Sequence, residues 1–205
     1  GCCSLLPGAI AGVREAVGPT AIAFVDGHLD FYDGNTSDTG EAADMDLAIL
    51  TGWGPTGVVD SGDGEPLVEP ADVVVIGYRD EEETTRLGAV DPAAVAPEML
   101  LVHARDVLAN GAAPTGEVAT RWLESRAKPI WLHLDLDVLD EEEFPAVTYP
   151  RGSGLSWDDV LALAGPFLAS PRLVGIDVAD FNADRDDDGL HARRAVDALC
   201  VLLGR

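Results

Sequence analysis

The feature that most constrains the fold is a series of short apolar runs, each followed by polar or glycine-containing residues. Runs of this length between polar turns are typical of strands buried on both faces of a sheet. Amphipathic stretches separate the runs, and this alternation predicts βαβ units and a parallel sheet. Strands are predicted at residues 21–25, 73–76, 100–102, 130–136 and 173–178.

The stretches between these runs predict helices and loops. Ser156 and Asp159 form an S-x-x-D pattern that is typical of a capped helix start. Thr115 is a second candidate for a residue that caps a helix. Helices are predicted over 5–17, 115–126, 156–168 and 191–203, and loops over 33–40, 51–66 and 184–188. In a parallel sheet with these connections, sites lie at the carboxyl ends of the strands.

Composition excludes several classes of function. The 205 residues fit one domain, and 13 basic against 37 acidic side chains give a net charge of -24. This charge repels phosphate backbones and anionic lipid, so the expected partners are cations and not nucleic acid or membranes. No apolar run approaches the roughly 18–20 residues of a membrane span. Three cysteines, two of them adjacent, predict no disulfide framework and a reducing cytoplasm.

Three side chains suited to metal binding directly follow the first predicted strand. Asp26, His28 and Asp30 alternate along the chain. If the chain stays extended there, a period of two places all three on one side. Carboxylate oxygens with one imidazole suit Mn²⁺ or a similar divalent ion. The alternative is a polar turn at the end of a strand.

Two further acidic pairs follow later strands. Asp135 and Asp137 end an apolar strand, where two carboxylates repel each other and are costly to desolvate. A shared cation is the simplest remedy, and the alternative is that one carboxylate caps a helix while the other is exposed. Asp177 and Asp180 form the other pair. A carboxylate there either receives a cationic substrate group or accepts hydrogen bonds that stabilise a loop.

In this order, the motifs resemble those of the arginase/agmatinase (ureohydrolase) superfamily. The D-x-H-x-D motif comes first, D-x-D-x-x-D follows about a hundred residues later, and I-D-V-x-[DE]-x-N lies near the end. Gly152–Leu155 resembles the family's glycine-rich turn before a helix, and Gly77–Asp80 resembles one of its strand ends. The resemblance spans nearly the whole chain and implies a three-layer α/β/α, arginase-like fold with a mainly parallel sheet.

The resemblance also implies a binuclear manganese cluster. Asp26 and Asp135 would bridge both ions, His28 and Asp137 would complete one site, and Asp30 would serve the other. The two ions would supply a hydroxide that attacks the carbon of a guanidino or amidine compound.

The resemblance also implies a catalytic role for two carboxylates. Asp137, or Asp135 in its place, would carry a proton to the leaving amine. Asp180 would hold the guanidinium of a small cationic substrate. It is one methylene shorter than the glutamate common in the family, which alters its reach.

The chain departs from the family at two histidine positions. Cys3 falls where the family has a metal-binding histidine, and Ala43 falls where it has a histidine that assists proton transfer. Either Cys3 ligates and two ions bind, with Zn²⁺ or Fe²⁺ as alternatives to Mn²⁺, or it is a small buried apolar residue and one ion binds. His133 is interpreted as a packed histidine of the core or one that supports the ligands.

Three hypotheses follow. The first is a metal-dependent hydrolase of a non-peptide C–N bond, with an acidic pocket formed by Glu41, Asp44, Glu82 and Asp180. The second is a metal-binding relative without catalysis that serves a regulatory or structural role. The third is an unrelated α/β metal or phosphate module, which the absence of a glycine-rich loop with a lysine disfavours.

The resemblance adds expectations about organisation. Residues 1–205 would form a single arginase-like domain that lacks the segment usually ahead of the first motif. The chain is then either a fragment or a member without the family's first strand, which would leave a sheet edge exposed or paired with another chain. Family members commonly form trimers or hexamers, so a homo-oligomer is expected, although no local feature of the sequence predicts it.

Overall fold

A computed structural model describes residues 2–59 and 65–204. Five parallel strands form one sheet in the order β3-β2-β1-β4-β5. The strands are β1 (Ala21–Val25), β2 (Val73–Ile76), β3 (Leu100–Val102), β4 (Ile130–Asp135) and β5 (Leu173–Ala179). All five predicted strands are confirmed. β4 ends at Asp135 because Leu136–Val138 turns into a 3-10 helix, and that turn aims the carboxylates beyond the strand.

Helices cover both sides of this sheet. They are α1 (Leu6–Val17), α2 (Asp46–Leu50), α3 (Thr56–Val59), α4 (Glu81–Leu87), α5 (Pro92–Val95), α6 (Ala104–Asn110), α7 (Ala112–Glu124), α8 (Trp157–Ala169) and α9 (Leu190–Leu202). The predicted capping box is present, since Ser156 Oγ accepts from the Asp159 amide and the Asp159 carboxylate accepts from the Ser156 amide. Thr115 does not cap α7, because its hydroxyl donates to the Gly111 carbonyl inside the first turn.

The predicted loops are mostly confirmed. Residues 33–40 form turns, whereas residues 184–188 include the end of the short 3-10 helix Ala183–Arg185 and the turn after it. The prediction for 51–66 is only partly testable, because Thr56–Val59 is helical and 60–64 lie outside the described residues. Within the described ranges, no helix has both the length and the apolar character that crossing a membrane requires.

The two faces of the sheet have different coverings. Along β4, Leu132 and Leu134 belong to a core that packs against α7 and α8, and we call this side the apolar face. The next residues along, His133 and Asp135, point to the opposite side, because side chains alternate along a strand. This polar face also carries Phe24, and α1 and α2 pack over it. Three layers result, with the sheet in the middle.

Strand order places a crevice between β1 and β4. The chain runs from β1 outward through β2 to β3 and then returns to place β4 on the other side of β1. Such a reversal opens a crevice at the carboxyl ends of the two strands on either side. Val25 pairs with Leu134 in the register, so Asp26 and Asp135 follow side by side at this point.

Candidate metal centre

Asp26 and Asp135 lie at the bottom of the crevice. Both are buried, with 1% of their surface exposed. The thiol of Cys3 donates to Asp135 Oδ2 across 2.6 Å and lies 4.0 Å from Asp26 Oδ2. The 3-10 helix Cys3–Leu5 leads into α1 and holds the thiol over the strand ends. Cys3 is therefore buried, as one alternative expected, but its sulfur faces carboxylates.

A second pair of carboxylates lies beside Cys3. The chain turns sharply at Asp30, whose φ is 45°. Asp30, Asp46 and Cys3 each offer a ligand atom within 4.8 Å of the other two. Asp46 is fully buried, and neither of its oxygens has a hydrogen-bond partner among the described residues. Asp46 was not predicted from the sequence, because α2 is only five residues long and no motif marks the carboxylate at its start.

His28 and Asp137 form an ion pair on the other side of Asp26. His28 Nδ1 lies 2.9 Å from Asp137 Oδ2, and the Gly27 amide donates to Asp137 Oδ1 across 3.0 Å. Burial lowers the pKa of His28, but the charge of Asp137 outweighs this and raises that pKa to about 10. Burial raises the pKa of Asp137, and the charge of His28 reverses the shift to give a pKa of about 2. Asp26, His28 and Asp137 form a compact set of ligand atoms.

The strand end at Gly77–Asp80 holds both acidic loops in place. Arg79 Nη2 donates to the carbonyl oxygens of Asp137 and Leu139 across 2.8 and 3.1 Å. Asp80 Oδ1 accepts from the Leu29 amide across 3.1 Å. One short motif after β2 therefore fixes the loop after β1 and the loop after β4 relative to each other.

Four carboxyl groups in this centre resist ionisation. Burial is the main cause that raises their pKa values well above the usual range, and repulsion between neighbouring carboxylates adds to it for each of them. The four are Asp26, Asp30, Asp46 and Asp135. Only protons or cations relieve this repulsion. Carboxylate oxygens with an imidazole and a thiol form a donor set that divalent metal ions accept, so the residues fit a metal centre.

Asp177 and Asp180 are separated by the fold. Asp180 has a left-handed backbone, with a φ of 59°, and accepts from the amide and the hydroxyl of Thr148 across 2.8 and 2.5 Å. Its carboxylate also groups with Asp135 and Asp137. Asp180 thus accepts hydrogen bonds that stabilise a loop, as one alternative expected, and its carboxylate also faces the centre. Asp177 lies on the polar face, further back along β5.

A cavity of about 490 Å³ opens above these residues. Its acidic lining residues are Asp30, Asp38, Glu41, Asp44, Glu83, Asp135, Asp137 and Asp180. The expectation for Glu82 is wrong, because Glu82 is exposed and Glu83, the next residue of α4, lines the cavity and pairs with Arg151. Ala43 also lines the cavity and brings no titratable group to it.

The fold and the centre together define a class: a three-layer α/β/α protein with a carboxylate-rich site suited to metal ions at the switch point of its sheet. The arginase family model matches residues 4–204. The chain therefore belongs to the arginase family.

Individual relatives agree with this assignment. The chain is 30% identical to the N(omega)-hydroxy-L-arginine amidinohydrolase of Streptomyces lavendulae, over 98% of this chain and 64% of that protein. It is 28% identical to the arginase of Brevibacillus brevis, over 98% and 66%. The arginase structure from Bacillus caldovelox superposes with a TM-score of 0.87 at 25% identity, over 100% of this chain and 67% of that one. The chain thus spans about two thirds of the length of these relatives.

Proposed function

We propose that this protein hydrolyses a non-peptide C–N bond in a small cationic guanidino or amidine compound, using two divalent metal ions. The observation that carries the proposal is the convergence at one crevice of the residues predicted as ligands. These are Cys3, Asp26, His28, Asp30, Asp135 and Asp137. Relatives named as an amidinohydrolase and an arginase support the same class of reaction.

The residues divide into shared and separate ligands. Asp26 and Asp135 would bridge the two ions, since each groups with Cys3 in one set of ligand atoms and with Asp137 in another. His28 would join Asp137 on one ion, and Cys3 would serve the other. Bound divalent ions make water acidic enough to act as a nucleophile near neutral pH. Oxygen and nitrogen ligands suit Mn²⁺, whereas the thiolate of Cys3 shifts the preference at its site towards Zn²⁺ or Fe²⁺.

Asp30 is also proposed as a ligand, beside Cys3. Its ligand atom groups with those of Cys3 and Asp46. The turn at its left-handed backbone brings the carboxylate back over the crevice instead of continuing along the strand direction.

The acidic cavity would select and orient a cation. Its volume of about 490 Å³ falls in the range of about 300–1,000 Å³ typical of sites for small molecules. The Asp180 carboxylate accepts a hydrogen bond from the Thr148 amide, and one of its oxygens lies within 4.8 Å of carboxylate oxygens of Asp135 and Asp137. A guanidinium bound to Asp180 would therefore lie directly above the metal ligands. Charge-assisted hydrogen bonds from a planar guanidinium to a carboxylate fix its orientation.

Asp137 would move the proton to the leaving amine. Its Oδ2 lies 2.9 Å from His28 Nδ1, and its carboxylate groups with that of Asp180. Ala43, at the cavity wall, has no titratable side chain that could carry this proton. This absence is the observation that keeps a second candidate function, a metal-binding relative without catalysis and with a regulatory or structural role.

Turnover of a panel of substrates by the metal-loaded protein tests the proposal. Arginine, N-hydroxyarginine and formimidoylglutamate represent compounds named for relatives. We expect hydrolysis of at least one guanidino or amidine compound, and its loss in Asp137→Ala without a loss of folding. Glu82→Gln is the matched control, because this acidic side chain is exposed outside the cavity. Metal-dependent thermal stability with no hydrolysis of any compound would favour the non-catalytic candidate.

A homo-oligomeric state and a cytoplasmic location remain predictions from the sequence and its family resemblance. The domain prediction for residues 1–205 likewise remains a proposal.

A further inference from the structure

His133 is a buried histidine in which one ring nitrogen is fixed and the other is free. The side chain is 0% exposed and lies on β4, two residues before Asp135 and on the same face. Its Nδ1 lies 2.7 Å from Asp177 Oδ2. The other oxygen of Asp177 accepts from the indole N–H of Trp131 across 2.5 Å. Asp177 therefore acts as an acceptor that holds the imidazole N–H at Nδ1.

The other ring nitrogen, Nε2, faces the candidate metal centre. His133 Nε2 lies 3.8 Å from Asp26 Oδ2, and within the described ranges it has no hydrogen-bond partner. A fully buried nitrogen without a partner is costly, so a ligand or a proton is expected on it. The ring packs against Phe24 with the ring centroids 4.8 Å apart and the planes tilted by 34°, a contact that restricts its rotation.

Four ligand atoms meet around one point. Atoms of Cys3, Asp26, His133 and Asp135 all lie within 4.8 Å of one another. Bonds of about 2.0–2.3 Å to a tetrahedral ion would place its ligand atoms about 3.3–3.8 Å apart. To enclose one ion, Cys3 Sγ and Asp135 Oδ2 would have to move apart from 2.6 Å, and the widest pairs would have to close from up to 4.8 Å, shifts of about 1 Å.

We propose that His133 binds a metal ion through Nε2 and forms a four-ligand site with Cys3, Asp26 and Asp135, so that His133 takes the place given above to Asp30 on the ion held by Cys3. This inference rests on the proposed function, because it extends the same centre. A histidine whose other ring nitrogen donates to a carboxylate is the usual arrangement of a histidine ligand, and Asp177 supplies that carboxylate. His133 lies on β4 and brings an imidazole to the site at which Cys3 stands where the family resemblance implies a histidine. A sulfur, a nitrogen and two oxygens favour Zn²⁺, Fe²⁺ or Co²⁺ over Mn²⁺.

The competing role for His133 is that of an imidazolium that neutralises carboxylates. The acidic groups that face it are Asp26 after β1, Asp46 on α2, Asp177 on β5 and Asp135 on its own strand. An imidazolium carries protons on both nitrogens, whereas a ligand keeps one proton at Nδ1. The two roles therefore differ in what a paramagnetic ion does to the ring.

Proton NMR of the cobalt-loaded protein distinguishes these roles. Co²⁺ bound at Nε2 shifts the Nδ1 proton far outside the normal spectrum, and burial against Asp177 makes that proton exchange slowly with water. We expect such a signal in the unmodified protein, beside any signal from the other proposed ligand His28, and its loss in His133→Phe, which keeps an aromatic ring against Phe24. His103→Phe is the matched control, since His103 pairs with Glu81 away from the centre. Cys3→Ser should remove the absorption band of the thiolate–cobalt bond and keep the imidazole signal.

Competition with a chelator supplies a second readout. Asp177→Asn should weaken cobalt binding by about 10–100-fold, as is typical for a group that orients a ligand. His133→Phe should weaken it more, because this variant loses the ligand itself. Cobalt binding without a slowly exchanging shifted signal, or an unchanged cobalt affinity in His133→Phe, would overturn the proposed role of His133 and leave the proposed function standing. Failure of the unmodified protein to bind any divalent ion would overturn the proposed function as well. If His133→Phe does not fold, the spectrum of His28→Asn decides, because this variant lacks the other proposed imidazole ligand and should keep the shifted signal of His133.

Discussion

The two faces of the same sheet are stabilised in different ways. On the apolar face, fully buried side chains such as Leu132 and Phe167 pack against one another. On the polar face, a second apolar cluster under α1 and α2 lies beside His133, Asp135 and Asp46, whose ionisable side chains are equally buried. Burial of apolar area contributes about 25 cal/mol per Å² wherever it occurs. Burial of a carboxylate costs free energy unless a partner compensates it.

This difference assigns distinct tasks to the two faces. The apolar face holds the fold without help from a ligand. The polar face is complete only with a proton or a cation on its carboxylates, so its stability depends on solution conditions. One strand, β4, serves both tasks because its side chains alternate, with Leu134 on one side and Asp135 on the other.

The largest expected effect comes from a pair of matched phenylalanine substitutions. Phe167 and Phe24 are both 0% exposed, but Phe167 belongs to the apolar face and Phe24 stacks on His133. We expect Phe167→Ala and Phe24→Ala each to lower the free energy of unfolding by about 3–5 kcal/mol. Only Phe24→Ala should also weaken metal binding, because it frees the imidazole to rotate. Chemical denaturation with calorimetric metal titration measures both quantities.

Equal losses of metal affinity in the two variants would show that the faces are not independent. Phe167→Leu and Phe24→Leu keep much of the buried volume and provide the same comparison if the alanine variants unfold.

The next effect is the pH dependence of stability without metal. Burial and mutual repulsion raise the pKa values of Asp26, Asp30 and Asp135 above those of the unfolded chain. The folded state therefore binds more protons than the unfolded state above about pH 4, and stability falls as the pH rises. The raised pKa of His28, about 10, acts in the same direction above its unfolded value.

Chelator-treated protein should thus lose stability from about pH 5 to about pH 8, by about 1.4 kcal/mol per pH unit for each additional proton bound. Metal-loaded protein should lose less, since cations replace the protons. Thermal melts across this range measure the two slopes. A metal-free stability that rises with pH would contradict the assignment of raised pKa values to the polar face.

Most of the fold could be predicted because the signals are local. A run such as VVVI is too short and too apolar for anything but a buried strand, and β2 has the predicted bounds. The capping box at Ser156 is also a local pattern. Short helices were missed: α2, α4 and α6 are only 5, 7 and 7 residues long. So few turns give almost no periodicity to detect.

The candidate site could be predicted only where its residues follow strands. Asp26 and Asp135 come directly after β1 and β4, and parallel strands bring their ends together. Asp46 and His133 lie in a helix and inside a strand, where polar residues have ordinary structural explanations. Their importance depends on which side of the sheet they face and on what lies opposite. Those are tertiary facts that no short motif encodes.

The smallest effect tests whether the apolar face is indifferent to metal. Ser156 caps α8 by accepting from the Asp159 amide, and α8 packs on the apolar face. Ser156→Ala should lower the free energy of unfolding by about 1 kcal/mol. Because α8 lies across the sheet from the ligands, the loss should agree with and without metal to within about 0.5 kcal/mol. Ser125→Ala, at the exposed end of α7, is the control, since its hydroxyl only donates to the Trp122 carbonyl. A cap effect that changes on metal loading would mean that the cation organises both layers of helices.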